Sequence, residues 1–117
     1  MTSMKTLLCA AVAALAAGQA GAQGTTPAGD ATKGRGKVAM CQGCHGIDGW
    51  RTAYPEVYTV PKIAGQHSAY IVLALKAYKG GERTHPSMRA IAAGLSEQDM
   101  ADLAAYYGNL GLQAAVK

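Results

Sequence analysis

Phenylalanine is absent from these 117 residues, and one tryptophan and six tyrosines supply all the aromatic surface. Tyr, Leu, Ile, Val, Met and the abundant Ala must therefore fill whatever interior the chain builds. Cysteine is scarce too, at Cys9, Cys41 and Cys44. A structural zinc site needs four ligands, usually from two paired sets, and there is no second cysteine pair. The scattered His45, His67 and His85 do not replace one. Strand signal is weak, which removes the βαβ setting of a thioredoxin-like Cys-x-x-Cys pair. No apolar run reaches the roughly 20 residues of a membrane span. A formal charge of +4 is too small for a nucleic-acid-binding surface. No internal repeat is present.

What is there begins with a leader. Lys5 precedes an apolar run from Leu7 to Ala17, followed by Ala20-Gly21-Ala22 and Gln23. A positive start, a short apolar stretch and a small-x-small site describe a secretory signal peptide, residues 1–22, cleaved after Ala22. Cys9 leaves with it. An uncleaved leader would instead anchor the chain to a membrane. Lipidation at Cys9 fits less well, because that cysteine lies within the apolar run. In an oxidising compartment the two remaining thiols would tend to pair unless something else consumed them.

Cys41-Gln42-Gly43-Cys44-His45 supplies that fate. Cys-x-x-Cys-His reads as a covalent c-type haem attachment site. Each thiol adds to one haem vinyl group, and the adjacent imidazole binds the iron. Haem c is attached outside the bacterial cytoplasmic membrane, so export and motif agree on a periplasmic location. Iron held this way is a redox centre tuned by its axial ligands and burial, which points to electron transfer. Removing Lys5 takes one unit from +4 and leaves +3; two ionised haem propionates then bring the total near +1. A mature chain this small has a marginal core of its own, and haem adds an apolar plate for helices to pack around.

Residues 23–29, rich in Gly, Thr, Pro and Ala, form a short flexible lead-in, and residues 30–117 one domain. Asp30 predicts a helix N-cap for a helix to about Met40, with Ala31, Gly34, Val38 and Cys41 on one face. Gly34 costs roughly 1 kcal/mol against Ala, which either a close helix approach or a tolerated surface glycine accommodates. Gly46 to Gly65, with Asp48-Gly49, Pro55 and Pro61, reads as loop. Gln66 to Lys79 predicts a second helix with Tyr70, Ile71, Ala74, Leu75 and Tyr78 inward, ended by Gly80-Gly81. Thr84 to Gly94 reads as mostly irregular. Ser96 and Asp99 resemble a capping box opening a third helix. Its stripe is Met100, Leu103, Ala104, Tyr107 and Leu110, ended by Gly111. The fold class is all-α: three main helices and loops wrapped around one haem.

With those pieces in order, the chain resembles a class I cytochrome c over essentially residues 29–111, closest to small bacterial cytochrome c-553 and cytochrome c4-type domains. The resemblance rests on Gly29-Asp30 leading to Gly34, the Cys41–His45 motif with Gly46, and Pro61-Lys62-Ile63-Ala64-Gly65-Gln66. It continues through Pro86-Ser87-Met88 and the stretch from Ala92 to Tyr107. It implies one haem c with His45 and Met88 as axial iron ligands. A thioether favours ferrous iron and raises the potential; His67 or His85 in its place would give bis-histidine iron at lower potential. It also implies that the Pro61 carbonyl accepts a hydrogen bond from His45, fixing its tautomer, and that Gly34 and Tyr107 mark a crossing of first and last helices. Tyr70, Trp50 and Arg83 become candidates for the haem pocket and propionates. His85 stands where related sequences often carry Asn, and reads as a surface side chain.

The functional expectation is an electron carrier without substrate chemistry of its own. Its partners are a redox protein donor and acceptor. Lys33, Arg35 and Lys37, and a second group of Lys76, Lys79, Arg83 and Arg89, would steer acidic docking surfaces unless they are merely solvated. The alternative is a dedicated cytochrome subunit of a dehydrogenase, such as a flavocytochrome c sulfide dehydrogenase or an alcohol dehydrogenase. A haem enzyme or gas sensor would require Met88 to be off the iron.

Overall fold

Asp30 ends the extended lead-in and caps α1 (Ala31–Arg35), its carboxylate accepting from the Thr32 and Lys33 backbone N–H groups at 2.8 and 3.2 Å. The computed structural model describes residues 25–54 and 57–114; the leader, residues 1–22, and Pro55 lie outside the described residues. The single helix expected to reach Met40 is divided. After α1 the chain turns through Gly36, whose N–H donates to the Lys33 carbonyl at 3.1 Å, and re-enters helix as α2 (Ala39–His45). Two glycines within three residues weaken the helix at this point, and the turn re-aims the segment that carries both cysteines and His45.

The stretch from Gly46 to Gly65 is loop except for an antiparallel ribbon, β1 (Arg51–Thr52) with β2 (Tyr58–Thr59). Arg51 pairs with Thr59 and Thr52 with Tyr58. Two-residue strands are too short for alternation to register in sequence. Helix α3 (Ser68–Gly80) ends as expected at the glycine pair. Gly81 takes φ +91, and its N–H reaches the Ala77 and Tyr78 carbonyls. A side chain would be strained in that left-handed position.

Two expectations need correction downstream. Thr84 to Gly94 is not mainly irregular: Pro86–Ala93 is a helix, α4. Pro86 occupies its first turn, where the missing N–H costs nothing and φ is already suitable. Helix α5 (Glu97–Ala114) does not stop at Gly111. Its start follows the capping-box reading, with Asp99 accepting from the Ser96 N–H at 2.9 Å and the Asp99 N–H donating to the Ser96 hydroxyl at 3.1 Å. Gly65 lies against Gly111, and a Cβ there would run into the Gly65 Cα, so this glycine serves a close approach rather than a helix end.

The core is the meeting of α3 and α5 with the start of α2. Val38, Ile71, Val72, Leu75, Met100, Leu103, Ala104 and Tyr107 form one buried cluster. Burying Met100 or Leu103 contributes roughly 1.5–3 kcal/mol each. Tyr70 was expected among the inward residues of α3 and is not: it is 49% exposed, and Val72 takes the inward place. The other lock is the crossing of α1 over α5. A Cβ on Gly34 would collide with the Asp102 carbonyl and lie 2.9 Å from the Tyr106 Cβ. The crossing is therefore marked by Gly34 and Tyr106, not by Gly34 and Tyr107.

Asp102 closes that crossing. Its side chain is 0% exposed, a costly place for a carboxylate unless it is fully paired. Here it accepts from the Asp30 N–H at 2.9 Å, Lys37 Nζ at 2.6 Å and Gln98 Nε2 at 2.8 Å. Lys37 also bridges to Asp99 at 2.7 Å. Its hydrogen bonds, first to Asp102 and then to Asp99, raise the Lys37 pKa. The same contacts, led by Lys37, lower Asp102 to about 2. Lys37 thus belongs to the helix crossing rather than to the basic patch expected around Lys33 and Arg35.

Candidate functional site

Helix α2 is built to present chemistry outward. It buries none of its side chains, so Cys41 is half-buried and Cys44 is exposed, and neither is in a disulfide. The Cys41 and Gln42 N–H groups both return to the Val38 carbonyl, at 2.8 and 2.9 Å. His45 is the last residue of the helix, and Gly46 closes it by donating to the Gln42 carbonyl at 2.9 Å. A Cβ at Gly46 would stand 2.6 Å from that carbonyl oxygen, so the tight exit after His45 needs a glycine.

His45 is oriented from outside its own helix. Its Nδ1 lies 2.7 Å from the Pro61 carbonyl oxygen. A carbonyl only accepts, so Nδ1 carries the proton and donates, which leaves Nε2 with its lone pair free to bind a metal. Gly65, four residues on in the same loop, donates to the Tyr107 carbonyl at 2.9 Å. Met88 lies on the first turn of α4 and packs, partly buried, against the same core cluster as Cys41. The motif helix, the Pro61 loop and α4 thus meet the core formed by α3 and α5.

Several large apolar and aromatic side chains are exposed, most of them close in sequence to the motif: Met40, Ile47, Trp50, Tyr54, Val57, Tyr58 and Leu73. A nitrogen donor, a thioether and two thiols on one short helix fit a haem bound by two thioethers. Among the described residues, no three His, Cys, Asp or Glu side chains are grouped to hold a metal ion.

The other candidates fall elsewhere. The Tyr70 hydroxyl accepts from Arg83 at 3.3 Å, and the guanidinium lies 5.1 Å from the Tyr78 ring centre. His67 precedes α3 and is exposed. His85, expected at the surface, is half-buried, its ring 5.4 Å from that of Tyr58 and its Nδ1 without a hydrogen-bond partner. It holds the N-cap position of α4, without a side-chain cap hydrogen bond. Of the second basic group, Lys76 pairs with Glu97 at 3.4 Å, and Lys79 reaches the Leu95 carbonyl.

One residue's part in the site was not read from the sequence. Tyr107 lies 5% exposed in the core, and its hydroxyl is buried without a hydrogen-bond partner among the described residues. Cys41 packs, partly buried, against the cluster that contains Tyr107. Burial pushes that thiol's pKa up while the Tyr107 hydroxyl pulls it down. Burial, with the Cys41 charge second, pushes the phenol well above its ordinary range. The signal available was a tyrosine on an apolar helical stripe, since a buried phenol O–H usually finds a partner.

Comparison with known proteins gives a consistent result. The sequence profile of the family described as "Cytochrome c" matches residues 31–110. Cytochrome c-554(548) of Halomonas halodenitrificans is 41% identical over 85 residues, covering 70% of this chain and 98% of that protein. The cytochrome subunit of sulfide dehydrogenase from Chlorobaculum tepidum is 36% identical over 81 residues, covering 68% of this chain and 69% of that one. The crystal structure of reduced cytochrome c4 from Pseudomonas stutzeri superposes with a TM-score of 0.57 at 38% identity. It covers 71% of this chain, which spans 46% of that larger protein.

Proposed function

We propose, from the premise that the chain belongs to the cytochrome c family and is an electron carrier on covalently bound haem c, that it works as a periplasmic one-electron shuttle with His45 and Met88 as axial iron ligands. Haem c supplies the reversible Fe(III)/Fe(II) couple. The rest is done by this chain's own side chains. Cys41 and Cys44 tether the group. The observation that carries the reading is the 2.7 Å bond from His45 to Pro61, because it fixes the tautomer and turns Nε2 into the metal-binding nitrogen. Met88, held against the core at the start of α4, supplies a soft sulfur that favours the ferrous state. With both positions filled, no site is left for oxygen or peroxide chemistry.

The decisive variant is Met88→Ala. The native protein should show a sulfur-to-iron absorption band and bind carbon monoxide poorly when reduced. The variant should lose the band, bind carbon monoxide readily and fall markedly in potential. If it changes none of these, Met88 is not the ligand. Export is part of the same reading: the secreted chain should have the mass of residues 23–117 plus one haem, the leader having been removed after Ala22.

A second reading is a dedicated subunit that relays electrons from a catalytic partner. The resemblance to the sulfide dehydrogenase cytochrome subunit favours it. A free shuttle purifies alone and exchanges electrons with several acidic partners in a salt-dependent way. A subunit co-purifies with one catalytic chain, and the complex survives salt.

A further inference from the structure

The stretch between His45 and the carbonyl that orients it is a closed hairpin. The chain leaves α2 at Gly46 and reverses between Ile47 and Trp50. There the Trp50 N–H donates to the Ile47 carbonyl at 3.3 Å and Gly49 takes φ +70. It then pairs with itself. Thr52 lies opposite Tyr58 and Arg51 opposite Thr59, and the Val60 N–H extends the same register to the Trp50 carbonyl at 2.9 Å. Two residues further along that register, Asp48 meets Lys62. Lys62 Nζ lies 2.9 and 3.0 Å from the two carboxylate oxygens. Pro61 stands between these last two rungs. It has no N–H to give to the ladder, so its place depends on what holds Val60 and Lys62 on either side. Its carbonyl is the group that accepts from His45 Nδ1 at 2.7 Å.

We infer that Asp48 and Lys62 are positioning residues for His45: their ion pair closes the end of the hairpin and keeps the Pro61 carbonyl on the Nδ1 proton. The inference rests on His45 being the iron ligand of a covalently bound haem, and it deepens that reading. Lys62 is 68% and Asp48 78% exposed, and exposed pairs of this kind add little to overall stability. The pair acts instead on the ligand. An Nδ1–H held on a carbonyl makes Nε2 a more basic nitrogen, which favours ferric iron and lowers the potential. Loosening the pair therefore raises the potential, whichever partner is removed. Charge alone behaves differently. Loss of the Lys62 cation would favour ferric iron and loss of the Asp48 anion ferrous iron, giving shifts of opposite sign. Water and salt screen two exposed charges, so the shared upward shift prevails.

The test uses the full chain, loaded with haem in cells competent for cytochrome maturation. Lys62→Gln and Asp48→Ser each remove one charge, serine being at home in the turn before Gly49. A third protein combines Asp48→Lys with Lys62→Asp. Potential is read by redox titration, and solvent exchange of the His45 Nδ1 proton by nuclear magnetic resonance. The expected result is an upward shift of potential and a several-fold faster exchange in both single variants. The combined variant should return both readings towards the parent. Potential shifts of opposite sign in the single variants would show the pair to act only through its charges and overturn the inference. Unchanged exchange in both, or a combined variant no closer to the parent than the single ones, would overturn it as well. A parent chain without covalent haem by intact mass would instead overturn the attachment reading itself.

Discussion

Two regions of this small protein are held by different means. Where α1 crosses α5, backbone meets backbone: Gly34 lies against the Asp102 carbonyl, and Lys37, Asp102, Gln98 and Asp30 saturate one another. In α2 and the loop that follows it, no helix side chain is buried, the strands are two residues long, and Ile47, Trp50, Tyr54, Val57 and Tyr58 face outward. The first region is determined by contacts of the chain with itself. The second presents thiols, an imidazole and apolar surface to a prosthetic group. One molecule thus separates the frame that must be rigid from the face that must stay available. The α1 crossing matters to function because α2, one turn further on, carries Cys41, Cys44 and His45.

The hardest way to break that contrast is to push a side chain into the crossing. Gly34→Val would drive a branched Cβ into the Asp102 carbonyl and the Tyr106 Cβ. Overpacking of this kind costs about 1–3 kcal/mol, and the upper end is expected here because the nearest obstacle is backbone. Thermal unfolding followed by far-ultraviolet circular dichroism should show a drop of many degrees in the haem-loaded protein. A melting temperature within a degree or two of the parent would mean that α1 contributes little to the frame.

Sequence alone exposed the chemical face better than the frame. Cys41, Cys44 and His45 announce themselves because their spacing is dictated by haem, and the Asp30 cap, the Ser96–Asp99 box and the α5 stripe are local signals that survive folding. Each needs only a few neighbouring residues to be read. The close approaches at Gly34 and Gly111 depend on distant partners: α5 for Gly34, Gly65 for Gly111. The Lys37–Asp102 pair spans 65 residues, and nothing near Lys37 distinguishes it from Lys33 or Arg35. Tyr70 and Tyr78 look alike on a helical projection; Arg83, which comes later in the chain, meets both, yet Tyr70 is exposed and Tyr78 half-buried.

Acid offers a milder probe of the same contrast. In the folded chain the Asp102 carboxyl sits at about 2, chiefly through its hydrogen bond to Lys37, and Asp99 lies lower still for the same leading reason. Unfolded carboxyls titrate near 4. A depressed folded value means that the contribution is complete above about pH 4 and is lost as pH falls towards 2. The α1–α5 crossing should therefore loosen in that window. Asp102→Asn should be less stable at neutral pH, because one of its two oxygens becomes an NH2 that meets either Lys37, or Gln98 and the Asp30 N–H, as donor against donor. Its melting temperature should also fall less than the parent's between pH 5 and pH 2.5. Parallel curves for the two proteins would place the acid sensitivity outside this network.

The smallest expected effect is also the one that separates the two regions by sign. Gly43 sits in the middle of α2, and a Cβ built on it meets nothing within 4 Å. Glycine inside a helix is less favourable than alanine by roughly 0.5–1 kcal/mol, and no packed neighbour is there to oppose the change. Gly43→Ala should therefore raise stability by up to about that amount, leaving covalent haem content and the absorption spectrum unchanged. Glycine replaced in the crossing destabilises; glycine replaced between the two cysteines stabilises. If Gly43→Ala lowers the melting temperature or the haem content, then something approaches the motif helix at its centre, and the separation of rigid frame from open chemical face is less complete than the contacts of this chain imply.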